Sequence, residues 1–254
     1  MKKDTIQHLV LGTMAVNCWI IPLDDIIPLD DSHPDDITPA GGNGAPALPS
    51  ARPSAIPPMG AAAAPGTCAI VDPGDEGDRI IARLAKLRLR PAYILLTHGH
   101  FDHIAALPEL AAAFATAEIV IHRDDAHYLG PGAYQIHLET FTAGGNAGYI
   151  KQLWKPLPSP ARLLSEGDTI GPFTLLHLPG HTPGSAGFFL EKGKCIFIGD
   201  TLFKAGMGRT DLPGGNFYRL QQSLRRLFTL DHDVTVYTGH GPLTSIGNEW
   251  IDMG

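Results

Sequence analysis

Residues 93–104 read YILLTHGHFDHI, an apolar run that passes directly into three histidines and one aspartate within six positions. The apolar part is short and does not alternate, which predicts a strand buried on both faces. The polar part is either a solvated loop or a metal site. His98 and His100 are two apart, so in extended backbone their rings point to one side. Neutral imidazoles are the commonest nitrogen ligands of zinc. Asp102 and His103 are adjacent and face different ways as the strand gives way to helix, which suits them to a second ion close by.

Read outward, the same arrangement recurs. His181 follows LLHLPG, Asp200 follows CIFIG and His240 follows VTVYTG, so each apolar strand runs into a Gly- or Pro-containing loop that ends on a ligand-type side chain. Such residues converge on one rim of a sheet. A carboxylate gives one oxygen to each of two ions about 3.5 to 4 Å apart, and Asp200 suits that bridge. Single histidines are more often core or surface residues, and His8, His33, His122, His127, His137, His177 and His232 are read that way. Seven ligand-type residues at four strand ends point instead to a metal centre.

The remaining sequence supplies a frame. IQHLVL and AVNCWII, separated by Gly12-Thr13, predict an N-terminal β-hairpin rather than an export signal, because Asp4, His8 and Asn17 interrupt the apolar character. From 22 to 66 Pro, Ala, Gly and Asp dominate; this is read as an inserted loop, expected to be mobile, within a single domain spanning 1–254. TCAIVD, EIVIH, FTLLHL, AGFFLE, KCIFIGD and VTVYTGH predict further strands, and stretches beginning at Asp75, Pro108 and Phe217 predict helices. Leu129 to Pro160 is read as loop with short helix. Strands alternate with helices and also occur in runs, giving an α/β (α+β) chain with a mixed sheet, or two sheets, covered by helices.

Composition narrows the partners. The 254 residues carry a net charge of -7 without a Lys/Arg-rich run, which argues against nucleic acid. No apolar run approaches the roughly 20 residues that span a bilayer, so no membrane partner is expected. Three cysteines lack zinc-finger spacing, which favours a reducing, cytoplasmic setting without disulfides.

THGHFDH, PGHTPGS, GDTLF and GHGP together resemble the motifs of the metallo-β-lactamase fold superfamily. VDPGDE, ILLTHGHFDHI, GDTLFKAGMGRTDLPGG and GHGPLTSIGNE are most similar to its glyoxalase II-like hydrolases. The resemblance implies a four-layer αββα sandwich with ligands on the rim between the sheets. Carried over by position, it assigns His98, His100 and His181 to one ion, Asp102, His103 and His240 to a second, and Asp200 to both. It also places Arg209 where a basic residue meets the glutathione carboxylate. The family's full-length members add a C-terminal helical domain with further glutathione contacts, whereas this sequence reaches Gly254 soon after His240, so a smaller thioester is an alternative.

Hydrolysis is the expected reaction, because two divalent ions lower the pKa of a bound water from 15.7 to near 7. Zinc is the expected ion, and iron or manganese suit the same donors. Asp102 is expected to orient or deprotonate the attacking water. The expected substrate is a small-molecule thioester such as S-lactoylglutathione. Alternatives are a persulfide dioxygenase-like enzyme with one iron on His98, His181 and Asp200, a lactonase or β-lactamase, and a non-catalytic module built around the insertion.

Overall fold

The computed structural model describes residues 6–24, 26 and 64–252, and two six-stranded sheets organise them. The first opens with the expected hairpin, β1 (Gln7–Leu11) antiparallel to β2 (Val16–Pro22). β2 pairs antiparallel with β3 (Gly66–Val71), setting Pro22 opposite Cys68. The stretch read as an insertion therefore leaves and returns at adjacent strand ends, and its interior, 27–63, lies outside the described residues.

Parallel strands β4 (Leu89–Leu95), β5 (Glu118–His122) and β6 (Arg162–Leu164) complete this sheet. Parallel neighbours need crossovers. These are α1 (Gly77–Leu87), then α2 (Phe101–Ile104) with α3 (Leu107–Ala113), then α4 (Tyr134–Ala143) with α5 (Ala147–Leu153). The 129–160 region thus holds two helices where the sequence suggested mostly loop. Thr140 and Thr142 cap their hydroxyls onto the carbonyls of Ile136 and Leu138, and buried Phe141 and Ile150 anchor the pair.

The second sheet contains β7 (Thr169–Ile170), β8 (Phe173–His177), β9 (Ala186–Leu190) and β10 (Cys195–Gly199), then β13 (Thr235–Thr238) and β14 (Thr244–Ser245). Between β10 and its parallel partner β13 run a ribbon, β11 (Leu202–Phe203) with β12 (Gly206–Met207), and the crossover α6 (Phe217–Leu227). α7 (Ile246–Asp252) follows β14.

Side-chain alternation sorts these strands into layers. Along β2 and β3, Cys18, Ile20, Cys68 and Ile70 face one core with Ile80, Leu84, Ile104 and Leu110 of the helices. The intervening Trp19, Ile21, Ala69 and Val71 face a second core with Phe173, Leu175, Phe188 and Phe197 of the other sheet. Ile196 and Ile198 of β10 point away from that sheet contact, toward Leu220, Leu224 and Leu227 of α6. Three cores separate four layers, the αββα sandwich that the motifs implied. All three cysteines are buried, and no disulfide joins them. Among the described residues no helix is long and apolar enough to cross a membrane.

One packing detail makes stability depend on pH. His137 of α4 is fully buried, and its Nε2 donates to the Tyr128 carbonyl at 2.8 Å. Burial pushes its pKa from the ordinary 6.5 down to about 4. Above about pH 6.5 both folded and unfolded chains hold it neutral, so it contributes no pH dependence there. As pH falls toward 4, the unfolded chain takes up a proton that the folded chain refuses, and stability is lost. At about pH 4.5 the loss is roughly 2–3 kcal/mol, at about 1.36 kcal/mol per unit. Urea midpoints of wild type and His137→Gln should converge by that amount between about pH 7 and 4.5; parallel pH dependences would refute the assignment.

Candidate metal centre

The seven residues singled out in the sequence meet at one end of the sandwich. β4 delivers His98 and His100 through a turn, α2 carries Asp102 and His103, and the loops after β8, β10 and β13 bring His181, Asp200 and His240. β4 ends at Leu95, so His98 and His100 do not share a strand face as their spacing suggested. They approach from a turn with rings 4.9 Å apart and nearly perpendicular.

Ligand atoms of His98, His100 and His181 lie within 4.8 Å of one another, as do those of Asp102, His103 and His240. His100 Nδ1 is 2.9 Å from His181 Nε2, and His103 Nε2 is 3.3 Å from His240 Nε2. Asp200 touches both groups. Its Oδ2 is 3.7 Å from His181 Nε2 and 3.6 Å from His240 Nε2, while Oδ1 is 3.4 Å from His103 Nε2. Asp102 Oδ2 lies 3.6 Å from His240 Nε2. Donors on one tetrahedral ion with bonds near 2.0 to 2.1 Å are roughly 3.3 Å apart, so the spacing fits divalent ions.

Outer hydrogen bonds turn the rings inward. Asp72, fully buried, takes the Thr97 amide at 2.8 Å, the Thr97 hydroxyl at 2.6 Å and His103 Nδ1 at 3.0 Å. With its proton committed to Asp72, the Thr97 oxygen accepts from His98 Nδ1 at 3.1 Å. His181 Nδ1 donates to the Arg209 carbonyl at 2.7 Å. Each of these rings turns Nδ1 toward an outer oxygen and Nε2 toward the centre, a recurrent way of orienting metal-ligating imidazoles. His98 Nε2 and Asp200 Oδ1 are buried there without a hydrogen-bond partner. Orphaned buried acceptors are costly, and a cation satisfies both.

Electrostatics agree. Burial, reinforced by neighbouring imidazoles, holds His98 and His100 far below the ordinary histidine range, leaving neutral donors. Burial opposes ionisation of Asp200, yet His103 beside it keeps the carboxyl well below its usual range. Asp102 is likewise lowered, because His103 and His240 outweigh its burial. Burial opposes charge on His103 too, but Asp200 and Asp102 raise it well above normal. The carboxylates therefore demand positive charge, which divalent ions supply.

Some placements differ from simple expectation. The Arg209 guanidinium is half-exposed and bound to Asp211 through Nε at 2.8 Å and Nη2 at 2.7 Å, while its backbone carbonyl serves His181. It borders a pocket of about 170 Å3 walled by Met14, Phe141 and Leu212 and floored by His100, Asp102, Asp200 and His240. His122 and His177, read as ordinary histidines, join Asp124 in a further ligand-type group. Their rings stack 3.9 Å apart at 12°, so their in-plane lone pairs cannot meet on one ion.

Asp72 and Asn17 carry structural duties that sequence reading missed. Asn17 is buried; its amide nitrogen reaches the carbonyls of Thr238 and Gly241, and its backbone N–H donates to Gly239 O at 2.8 Å. It ties the first sheet to the His240 loop. An aspartate ending an apolar strand, as Asp72 ends TCAIVD, was the available signal for its role.

A sequence model of the metallo-β-lactamase superfamily matches residues 62–240. Hydroxyacylglutathione hydrolase GloC of Haemophilus influenzae is 36% identical over 186 residues, covering 71% of this chain and 83% of that protein. The probable metallo-hydrolase YqgX of Bacillus subtilis is 37% identical over 188 residues, 72% and 83% of the two chains. The crystal structure of TTHA1623 in a di-iron-bound form superposes with a TM-score of 0.70 at 29% identity, covering 96% of each chain. With its four layers, its rim of inward-turned imidazoles and the family match over most of its length, this chain belongs to the metallo-β-lactamase superfamily and is a metallo-hydrolase of it.

Proposed function

We propose that the chain hydrolyses small thioesters with two divalent ions, zinc in the first instance, in the manner of glyoxalase II and with S-lactoylglutathione as lead substrate. The observation that carries this reading is the contact of Asp200 with both His-containing groups, at 3.7 Å from His181 and 3.4 to 3.6 Å from His103 and His240. Bound divalent ions supply Lewis acidity toward the carbonyl oxygen and activate water near neutral pH. His98, His100 and His181 hold one ion, and Asp102, His103 and His240 the other. Asp102 lines the pocket and would orient the attacking water. Water adds to the carbonyl carbon, the C–S bond breaks, and the water protons end on the acid and the thiol.

The pocket of about 170 Å3 accommodates an acyl group rather than a whole glutathione thioester. The thiol portion then crosses the rim, where Arg209 exchanges Asp211 for a substrate carboxylate, a pairing that guanidinium favours. GloC, named a hydroxyacylglutathione hydrolase, supports this choice of substrate. The three buried cysteines accord with a cytoplasmic setting.

The test is a panel of S-lactoylglutathione, a coenzyme A thioester, a lactone, nitrocefin and glutathione persulfide, run on metal-loaded protein. The reading expects thioester turnover to dominate and Arg209→Ala to raise KM for the carboxylate-bearing thioester about tenfold, the worth of one charge-assisted pair. Dominant lactone or nitrocefin turnover, or oxygen uptake on the persulfide with one iron per chain, overturns it.

A further inference from the structure

The two sheets contribute separately to the His98, His100 and His181 group, and one buried carboxylate joins the contributing loops. Asp125 follows β5 in a short 3-10 turn, Arg123–Tyr128, and is fully buried. Its Oδ2 accepts from the Gly99 amide at 2.9 Å and from the Thr182 hydroxyl at 2.7 Å; its Oδ1 accepts from the Gly184 amide at 2.6 Å. Gly99 stands between His98 and His100 in the first sheet's loop, and Thr182 follows His181 in the second sheet's loop. Thr182 is held in turn by Ser185, whose hydroxyl receives the Thr182 amide at 2.9 Å and lies 2.8 Å from its oxygen.

The fit leaves no slack. A Cβ on Gly184 would lie 2.6 Å from the Asp125 backbone nitrogen, and one on Gly99 would collide with the Tyr128 ring. Both carboxylate oxygens are engaged by these donors, and Asp125 falls in none of the ligand-type groups. The hydrogen bonds of Asp125 reach neither Asp102, His103 nor His240. Those residues lean on Asp72, through His103, and on the Asn17 contacts to the His240 loop.

We propose that Asp125 is a positioning residue that sets His98 and His100 against His181, and so fixes the affinity of that group for its ion without governing the other. This rests on the reading of two ions above. Asparagine at this position offers one acceptor oxygen, so in either orientation of the amide its NH2 faces at least one donor, Gly184 N–H on one side or Gly99 N–H on the other, and the tie between the loops is weakened. Partners of this outer kind change metal affinity by about 10- to 100-fold. Thr182→Val removes one of three donors with little change of shape, and its expected effect is roughly fivefold.

The experiment strips the full chain of metal and titrates zinc against a chromophoric chelator, with cobalt spectra recorded in parallel. Wild type is expected to show two binding steps. Asp125→Asn should weaken one step by 10- to 100-fold and leave the other in place, with Thr182→Val intermediate and still folded. If Asp125→Asn does not fold, Thr182→Val alone decides. Unchanged steps, or equal weakening of both, overturn the proposal. A single step in wild type refutes the two-ion reading instead, and Asp125 then stands or falls by whether its variants weaken that step.

Discussion

Asp200→Ala is expected to lower kcat/KM for the best substrate of the panel by roughly 10^3-fold or more while the chain stays folded. Asp200 is the residue that contacts both groups, at 3.4 Å from His103 and 3.7 Å from His181. It is also a buried anion surrounded by imidazoles, and removing it lowers the demand of the site for positive charge. Lewis-acid stabilisation of a transition state is worth several kcal/mol, and about 4 kcal/mol corresponds to three orders of magnitude. Loss of one ion and displacement of the other forfeits at least that. Steady-state kinetics with a matched melting curve measure it. A variant within tenfold of wild type would show that Asp200 is not the bridge.

The largest expected effect on stability falls at Phe101→Ala, within the same motif. Phe101 is completely buried between two ligand positions and packs among Trp154 at 5.6 Å, Tyr149 at 5.9 Å, Phe141 at 6.4 Å and His137 at 5.5 Å. Truncating a buried phenylalanine costs about 3–5 kcal/mol, part transfer and part cavity. For a chain of this length that lowers the melting midpoint by roughly 10 °C. Phe217→Ala is the control, because that ring is half-exposed and its loss stays within about 0.5 kcal/mol. Equal midpoints for the two variants would contradict the claim that the motif is anchored from beneath by α4 and α5.

The sequence was most informative where chemistry and strand signals coincide. The candidate ligand residues stand directly after apolar runs such as YILL and CIFIG, so their convergence follows from strands ending on one rim. Strands β2, β3 and β10 were legible as strands from their apolar runs, and the structure adds that both of their faces are buried. Asp125 was not legible. In RDDAHY it looks like surface charge, and only long-range contacts with Gly99, Thr182 and Gly184 disclose its role. Helices α4 and α5 were hidden for a related reason. Thr140 and Thr142 are poor helix formers and Gly144 and Gly145 separate the two helices, while the packing of Phe141, Tyr149 and Trp154 on Phe101 holds them in place.

Arg209 shows where local sequence reading stops. Its position in GMGRTD marked it for carboxylate recognition, but whether its guanidinium is open to substrate depends on Asp211 two residues on, which already holds it. On the proposed reading a substrate carboxylate has to compete with Asp211 for Arg209, which spacing alone does not reveal.

The central claim is that two divalent ions share Asp200. Elemental analysis of wild type and Asp200→Ala, each reconstituted with excess zinc and desalted, tests it most directly. The account predicts two ions per chain in wild type and one or fewer in the variant, with a cooperative melting transition kept in both. Two firmly bound ions in Asp200→Ala, or full thioester turnover by wild type stripped of all metal, would contradict it.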